Sequence, residues 1–522
     1  MSVIGRLASG SIATWTQMVV TMAVQIALVP LYLSHWDKET YGVWLMIQAA
    51  IGLTRLFDAG HQTLLGNEFL RLGNHDRSLT RKIFYSSLPI AASLGLLELV
   101  FVGGIVLTGS HLWLFGLSPA QDQDLLEQGG LVLIIEAAVW LAAGCCGGIA
   151  VRMLSSFGYY TRMTWWGVAA ASVTSTMPAG AVVLGSNLLG AGIVSGLATC
   201  FYCLPQFWDL WRIMKHEGLH PLRPDYKLGL HNLVRSYVVT SKQFLDMVRL
   251  QGVRLILGPV VGVSEMAAFA TMRTGAHFAL QGVGTVTGPL MPELMHFLRL
   301  KDQERTEAAL GFVWLLVLAA MCPAVILLQW FAPMLFELWT RGKLPYDPAL
   351  FGLLSYGVLI YALCQPAAAV VQGNNILFRQ LMISLITGIT VLGCLPILVS
   401  SLGIRGAGIT LLVAEALSLV GYTLVAASWM KSHAMRWPAR PFRTAALAVT
   451  MAGTAVGGMI IHPQAAKSIA VVGVSAECGL LVIYWLQLPQ LARRRVYEIM
   501  NASHVTHRHG RHGCSAFSKQ SQ

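Results

Sequence analysis

Apolar residues run along this chain in blocks of about 20, the length a helix needs to cross a bilayer core of about 30 Å, and short polar segments separate the blocks. The pattern predicts roughly fourteen membrane-spanning helices, at approximately 11–33, 41–65, 84–110, 129–151, 163–185, 189–211, 238–262, 266–292, 308–338, 349–373, 381–402, 406–430, 444–462 and 468–489. The first block follows only Arg6 and lacks a small-x-small cleavage pattern, so it reads as an uncleaved first span. The fold class is therefore all-α and polytopic.

Composition agrees. Of 522 residues, 55% are hydrophobic and 11% charged, and the mean hydropathy is +0.62, whereas a soluble chain carries about 25% charge. There is too little polar surface to cover a soluble globule, and disorder, a collagen-like fibre and a disulfide-stapled module are excluded on the same grounds. The net charge of +12 does not indicate a nucleic-acid partner, because the basic residues sit between spans. About 26 of the 36 Lys and Arg residues fall in one set of alternate loops and about 5 in the opposite set. The positive-inside rule then puts both termini in the cytoplasm. The nine cysteines lie mostly in apolar segments, so no disulfide framework is expected, and Cys200 with Cys203 lacks the second ligand pair of a zinc site.

The chain also repeats. Phe69, Leu70, Arg71 and Leu72 after the second span recur as Phe297, Leu298, Arg299 and Leu300 after the eighth, and the same offset carries Gly60 onto Gly288 and Tyr41 onto Phe269. An even number of spans between copies gives both the same orientation, a parallel pseudo-twofold repeat about an axis along the membrane normal. The predicted organisation is a six-helix lobe at 1–211, a cytoplasmic linker at 212–237, and a second six-helix lobe at 238–430. Two additional spans follow at 431–489, then a basic tail at 490–522 without structure.

Charges inside spans carry the functional information, since each costs about 2.5–3.5 kcal/mol at a helix centre and needs a partner, water or ligand. Lys242, Asp246 and Arg249 share one face of the seventh span, with Arg254 about 140° away in an α-helix. Arg55 and Asp58 are i,i+3 neighbours on the second span and so placed to neutralise one another. Arg55, Arg249, Arg254 and Arg273 are the candidate substrate-binding residues: guanidinium presents a fixed fork of donors that matches phosphate oxygens and keeps its charge when desolvated. Asp58, Asp246, Glu136 and Glu415 are candidates for charge pairing or ion coupling, and Glu98, Glu477 and His277 are further buried ionisable groups. Trp44, Trp165 and Trp166 are placed either to stack on sugars or to anchor span ends at the interface. The tail's His504, His507, His509, His512 and Cys514 read as part of a basic segment near anionic lipid. No P-loop, GxSxG, HExxH or dinucleotide fingerprint occurs, so no catalytic residue, metal or cofactor is expected.

Short motifs carry a resemblance. The segment Val29 to Leu33, then Tyr41, Gly42, Val43 and Trp44, then Leu56, Phe57, Asp58, Ala59 and Gly60, resembles the opening of the polysaccharide flippases of the MOP superfamily, relatives of the lipid II flippases and MATE exporters. Gly288 to Pro292 and Gly403 to Gly408 are similar to later parts of the same family. The resemblance implies translocation of a lipid-linked oligosaccharide, usually on undecaprenyl diphosphate, from the cytoplasmic to the periplasmic leaflet of a bacterial inner membrane by alternating access. It also implies membrane lipids as partners and a polysaccharide polymerase or export machinery beside them. Lipid II flippases place arginines on the first, second and eighth spans; here Arg55 and Arg273 occupy the second and eighth, and the first has none after Arg6. The competing readings are a MATE-like small-solute exporter, whose usual first-span Asp is absent among Thr14, Thr16, Gln17, Thr21 and Gln25, and a membrane glycosyltransferase or glycan polymerase. For the latter, Asp122, Asp124 and Glu127 are the one acidic cluster on an outside loop.

Overall fold

A computed structural model describes residues 3–72, 76–116, 119–374, 376–490 and 493, and every element among them is helical. In chain order the α-helices are α1 (Val3–His35), α2 (Lys38–Thr54), α3 (Leu56–Leu72), α4 (Arg77–Leu107), α5 (Ser110–Phe115), α6 (Pro119–Val139), α7 (Cys145–Leu154), α8 (Tyr160–Val183), α9 (Leu188–His216) and α10 (Tyr226–Met247). They continue as α11 (Val253–Val261), α12 (Val263–Leu300), α13 (Gln303–Leu316), α14 (Cys322–Thr340), α15 (Pro348–Gly373), α16 (Leu377–Leu402), α17 (Ile404–Ser432), α18 (Ala439–Ile461) and α19 (Ala466–Gln487). Single π turns at Trp140–Gly144, Ser155–Tyr159, Val248–Gly252 and Val317–Met321 join neighbouring helices end to end.

Ten helical stretches among the described residues are long and apolar enough to cross a membrane, and one of them, Asp122–Val183, is 62 residues long and contains two predicted spans. The predicted spans absent from that set are the second, seventh and eighth, which carry Arg55 and Asp58, Lys242 to Arg254, and Arg273. The protein is a multi-pass membrane protein, and the three predicted spans outside that set carry the lysine and arginine residues assigned to spans.

The chain divides into two compact units. The first comprises 1–278, 331–354 and 380–417. Within it α1 packs on α8, α8 and α6 pack on α9, and α10 lies against both α3 and α4. The α10 crossings are backbone-close: a Cβ on Gly60 would stand 2.5 Å from Thr240 Cα, and one on Gly229 would stand 2.3 Å from the Ser86 carbonyl oxygen. Only glycine permits that approach. Leu65, Phe69, Phe84, Ile149 and Met153 fill the space between α3, α4 and α7. The linker expected at 212–237 is shorter than its sequence suggests, with only 217–225 outside helix. Lys215 and His216 complement the C-terminal end of α9, and the Asp225 side chain accepts the Leu228 N–H at 3.2 Å to cap α10.

Loops assigned to the same side of the membrane meet one another in this unit. Glu68 pairs with Arg71 at 2.7 Å and Arg235 at 2.9 Å, Arg77 with Glu217 at 3.3 Å, and Lys82 with Asp225 at 2.9 Å. From the opposite set, Arg405 pairs with Asp347 at 2.7 Å and Lys343 donates to the Trp36 carbonyl at 3.1 Å.

The second unit comprises 279–330, 355–379 and 418–522. Its core is the fully buried Trp314, whose indole N–H donates to the Leu363 carbonyl at 3.1 Å and whose ring meets Trp437 and Phe442. The last two helices pair with each other and both pack on α13. Tyr484 buries its hydroxyl against the Gly311 carbonyl at 2.7 Å, and Gly473 lets α19 close on Ala455 and Ile326. Residues 494–522, including the tail histidines and Cys514, lie outside the described residues, as do the side chains of Arg6 and of the Gly288–Pro292 motif.

Candidate functional site

All eight candidate site residues lie in the first unit, and they fall into two groups. The first is built on the seventh span. Lys242 Nζ stands 3.0 Å from Asp246 Oδ2, one α-turn apart as the sequence spacing requires, and Ser384 Oγ donates to the other Asp246 oxygen at 2.9 Å. Beyond Met247 the helix changes: Val248–Gly252 is a π turn. In a π turn the ladder runs i→i−5 rather than i→i−4, so residues five apart come onto one side. Arg254, which an unbroken α-helix would turn away from Arg249, is thereby brought toward it.

Arg249 pairs with Glu415 at 3.3 Å, both side chains well buried at 15% and 17% exposure. Arg273, 7% exposed, donates from Nη1 to the carbonyl of Leu250 at 2.7 Å, inside the π turn. Arg249, Arg254 and Glu415 all lie within electrostatic range of Arg273, as does His277 one turn along. Among the described residues no ion pair joins Arg254 or Arg273 to a carboxylate, and Arg254 Nε is buried without a hydrogen-bond partner. Of these three guanidinium groups only Arg249 is ion-paired among the described residues. Uncompensated buried cations are costly, and a diphosphate is a ligand that would match both their charge and their donor geometry.

The second group surrounds Arg55, at the break between α2 and α3. The expected ion pair with Asp58 does not form. Arg55 turns instead to Glu136 on α6, 3.2 Å away, and lies over the Trp140 ring at 4.7 Å from its centroid. Glu136, 5% exposed, also accepts the Ser195 hydroxyl at 2.7 Å. These residues line a pocket of about 330 Å³, closed on other sides by Tyr32, Trp44, Gln48, Thr199 and Tyr202. Ser195, Thr199 and Tyr202 recur at helical spacing on the otherwise apolar α9, and Glu136 and Trp140 are i,i+4. That polar stripe was the sequence signal for a site the charge inventory alone did not reveal.

Asp58 faces the protein interior. It accepts Gln62 at 2.7 Å, Gln62 in turn accepts Arg152, and the second Asp58 oxygen is buried without a partner among the described residues. Glu98 accepts the Thr54 hydroxyl at 2.9 Å. Of the remaining tryptophans, Trp166 donates to Asp209 at 2.9 Å beside the Arg162–Asp209 pair, and Trp165 is exposed. Glu477, in the second unit, is buried with neither oxygen bonded among the described residues. The Asp122, Asp124 and Glu127 cluster is a solvated start to α6, with Gln123 bonded to Glu127 and Gln128 to Asp124, and no group of acids and histidines that could hold a metal occurs among the described residues.

A multi-pass bundle with intramembrane charges on its second, seventh and eighth spans defines the class, and solved structures of a lipid II flippase and of MATE transporters share its fold. The lipid II flippase MurJ in an inward-closed conformation aligns with a TM-score of 0.61 at 12% identity, covering 90% of this chain and 98% of that one. An inward-facing multidrug-resistance MATE transporter aligns with a TM-score of 0.58 at 14% identity, over 78% and 96% of the two chains. A MOP-superfamily transporter from Pyrococcus furiosus, described as having a binding pocket of reversed polarity, aligns with a TM-score of 0.57 at 15% identity, over 80% and 94%. No protein-family model and no curated protein matches the chain by sequence.

Proposed function

We propose that this protein flips a lipid-linked oligosaccharide, carried on undecaprenyl diphosphate, from the cytoplasmic to the periplasmic leaflet of a bacterial inner membrane, with both termini cytoplasmic. The lobes at 1–211 and 238–430 would alternate in access, and a polysaccharide polymerase or exporter would take the product. The observation that carries the reading is the cationic group on the seventh and eighth spans: among the described residues Arg254 and Arg273 form no ion pair with a carboxylate, while Arg249 pairs with Glu415. A net positive buried site selects an anion and opposes the organic cation that a MATE-like exporter would carry. Arg254 and Arg273 would hold the diphosphate. Asp246 and Glu415 would orient the seventh-span cations, and Asp58, which forms no ion pair among the described residues, is the candidate for ion coupling.

The test is translocation of a fluorescent undecaprenyl-diphosphate-linked glycan in proteoliposomes. Arg254→Ala and Arg273→Ala are each expected to slow it at least tenfold, about 1.4 kcal/mol, in protein that elutes as folded. Unchanged rates in both variants would remove the diphosphate from this site.

A further inference from the structure

The Arg55 pocket differs in kind from the cationic group. Its two charges cancel, because Arg55 and Glu136 are joined to each other. A site that is neutral overall favours neither a phosphate nor an organic cation, since either would bring an uncompensated charge into a desolvated space. What it offers instead is hydrogen-bonding capacity beside aromatic faces. The Glu136 carboxylate is held by Ser195 and Arg55, so its orientation is fixed before any ligand arrives. The Arg55 Nε and Trp140 indole N–H are buried donors with no partner among the described residues. The Gln48 amide, exposed in the pocket wall, has no hydrogen bond among the described residues either. Tyr202 lies within electrostatic range of both Arg55 and Glu136.

We infer that this pocket binds an uncharged sugar residue. A pyranose has the required chemistry: hydroxyls that both donate to a carboxylate and accept from guanidinium and amide, and an apolar C–H face for aromatic rings. A volume of about 330 Å³ falls at the small end of small-molecule sites, suited to a single sugar unit or a disaccharide rather than a whole glycan. The inference rests on the flippase reading for its biological source, the cargo's glycan, but the sugar site itself is tested separately from transport.

The experiment uses the full chain in detergent and follows ligand contact by saturation-transfer NMR with glucose, galactose and N-acetylglucosamine, with choline and inorganic pyrophosphate as charged controls. At least one sugar is expected to bind wild type, and Glu136→Gln and Gln48→Ala are expected to weaken that binding at least fivefold. Arg273→Ala is expected to leave sugar binding unchanged and to weaken pyrophosphate. Using two variants on different helices guards against a misfolded one, and each is checked by size-exclusion profile. Absence of binding by every sugar, or sugar binding indifferent to both variants, overturns the inference, as does choline binding that depends on Glu136. Sugar binding that persists in a protein unable to move the lipid-linked glycan would support the pocket and count against the flippase.

Discussion

At the scale of single residues, the two kinds of intramembrane arginine respond differently to removal. Arg249 neutralises a carboxylate that is itself well buried, so Arg249→Ala leaves Glu415 without its ion-pair partner and with only the field of Arg273 to offset its charge, where breaking a buried pair typically costs about 3–5 kcal/mol. Arg273 forms no ion pair among the described residues. Its truncation relieves a buried positive charge while removing a ligand for the substrate, so Arg273→Ala should retain or raise thermal stability in detergent while losing transport. The check is a melting curve for both variants beside Arg249→Met with Glu415→Leu, which should recover most of the stability that Arg249→Ala loses. Outside the membrane, burial alone would raise the Glu68 carboxyl, but hydrogen bonds from Arg71 and Arg235 outweigh it and hold it below the usual carboxylate range. A carboxyl lower in the folded than in the unfolded state adds stability that is complete above its unfolded value, about 4.3, and is lost as pH falls through the folded value. Glu68→Gln should therefore be less stable than wild type at neutral pH, and the difference should shrink on acidification below about pH 4. A constant difference across that range would exclude the ion pairs as its source.

At the scale of elements, the π turn at Val248–Gly252 is the feature that converts a charged span into a site. Inserting one alanine after Val253 adds a residue that the π turn does not absorb, turning Arg254 by about 100° relative to Lys242 and Asp246. The Lys242–Asp246 pair should survive, the protein should fold, and transport should fall at least about tenfold; retained transport would mean that the placement of Arg254 is immaterial. This element also marks the boundary of what the sequence disclosed. Charges inside apolar blocks are visible without coordinates, because nothing else in a span is so unfavourable, and all eight candidates were named on that ground. Their partners were not visible. Pairing by i,i+3 spacing joined Arg55 to Asp58, whereas the break after Thr54 and the approach of α6 gave Arg55 to Glu136. Helical periodicity turned Arg254 away from Arg249, and no residue pattern announces a π turn. The Arg55 pocket was missed because most of its walls come from uncharged residues on five helices, none of which is costly enough to be noticed alone.

At the scale of the whole molecule, sidedness decides whether the proposed direction of transport is physically available. Loops assigned to one side by the placement of Lys and Arg do meet each other in the first unit: Lys82 with Asp225 and Arg77 with Glu217 in one set, Arg405 with Asp347 and Lys343 with Trp36 in the other. An error of one span in the assignment would have put some of these partners on opposite faces of the membrane, too far apart for contact. The pairing fixes which loops share a face but not which face is cytoplasmic. That depends on the basic excess, concentrated in the set containing Arg77, Lys82 and the 217–225 segment. With the native cysteines replaced by alanine or serine, a single cysteine at Arg223 should resist a membrane-impermeant maleimide in intact spheroplasts and react in inverted vesicles, whereas one at Lys343 should do the reverse. Arg223 lies off the Lys82–Asp225 pair at the start of α10, and replacing Lys343 removes its hydrogen bond to the Trp36 carbonyl but leaves the Arg405–Asp347 pair of that face in place. The opposite labelling pattern would invert the protein, put the larger basic face outside, and make the proposed outward movement of a lipid-linked glycan an inward one.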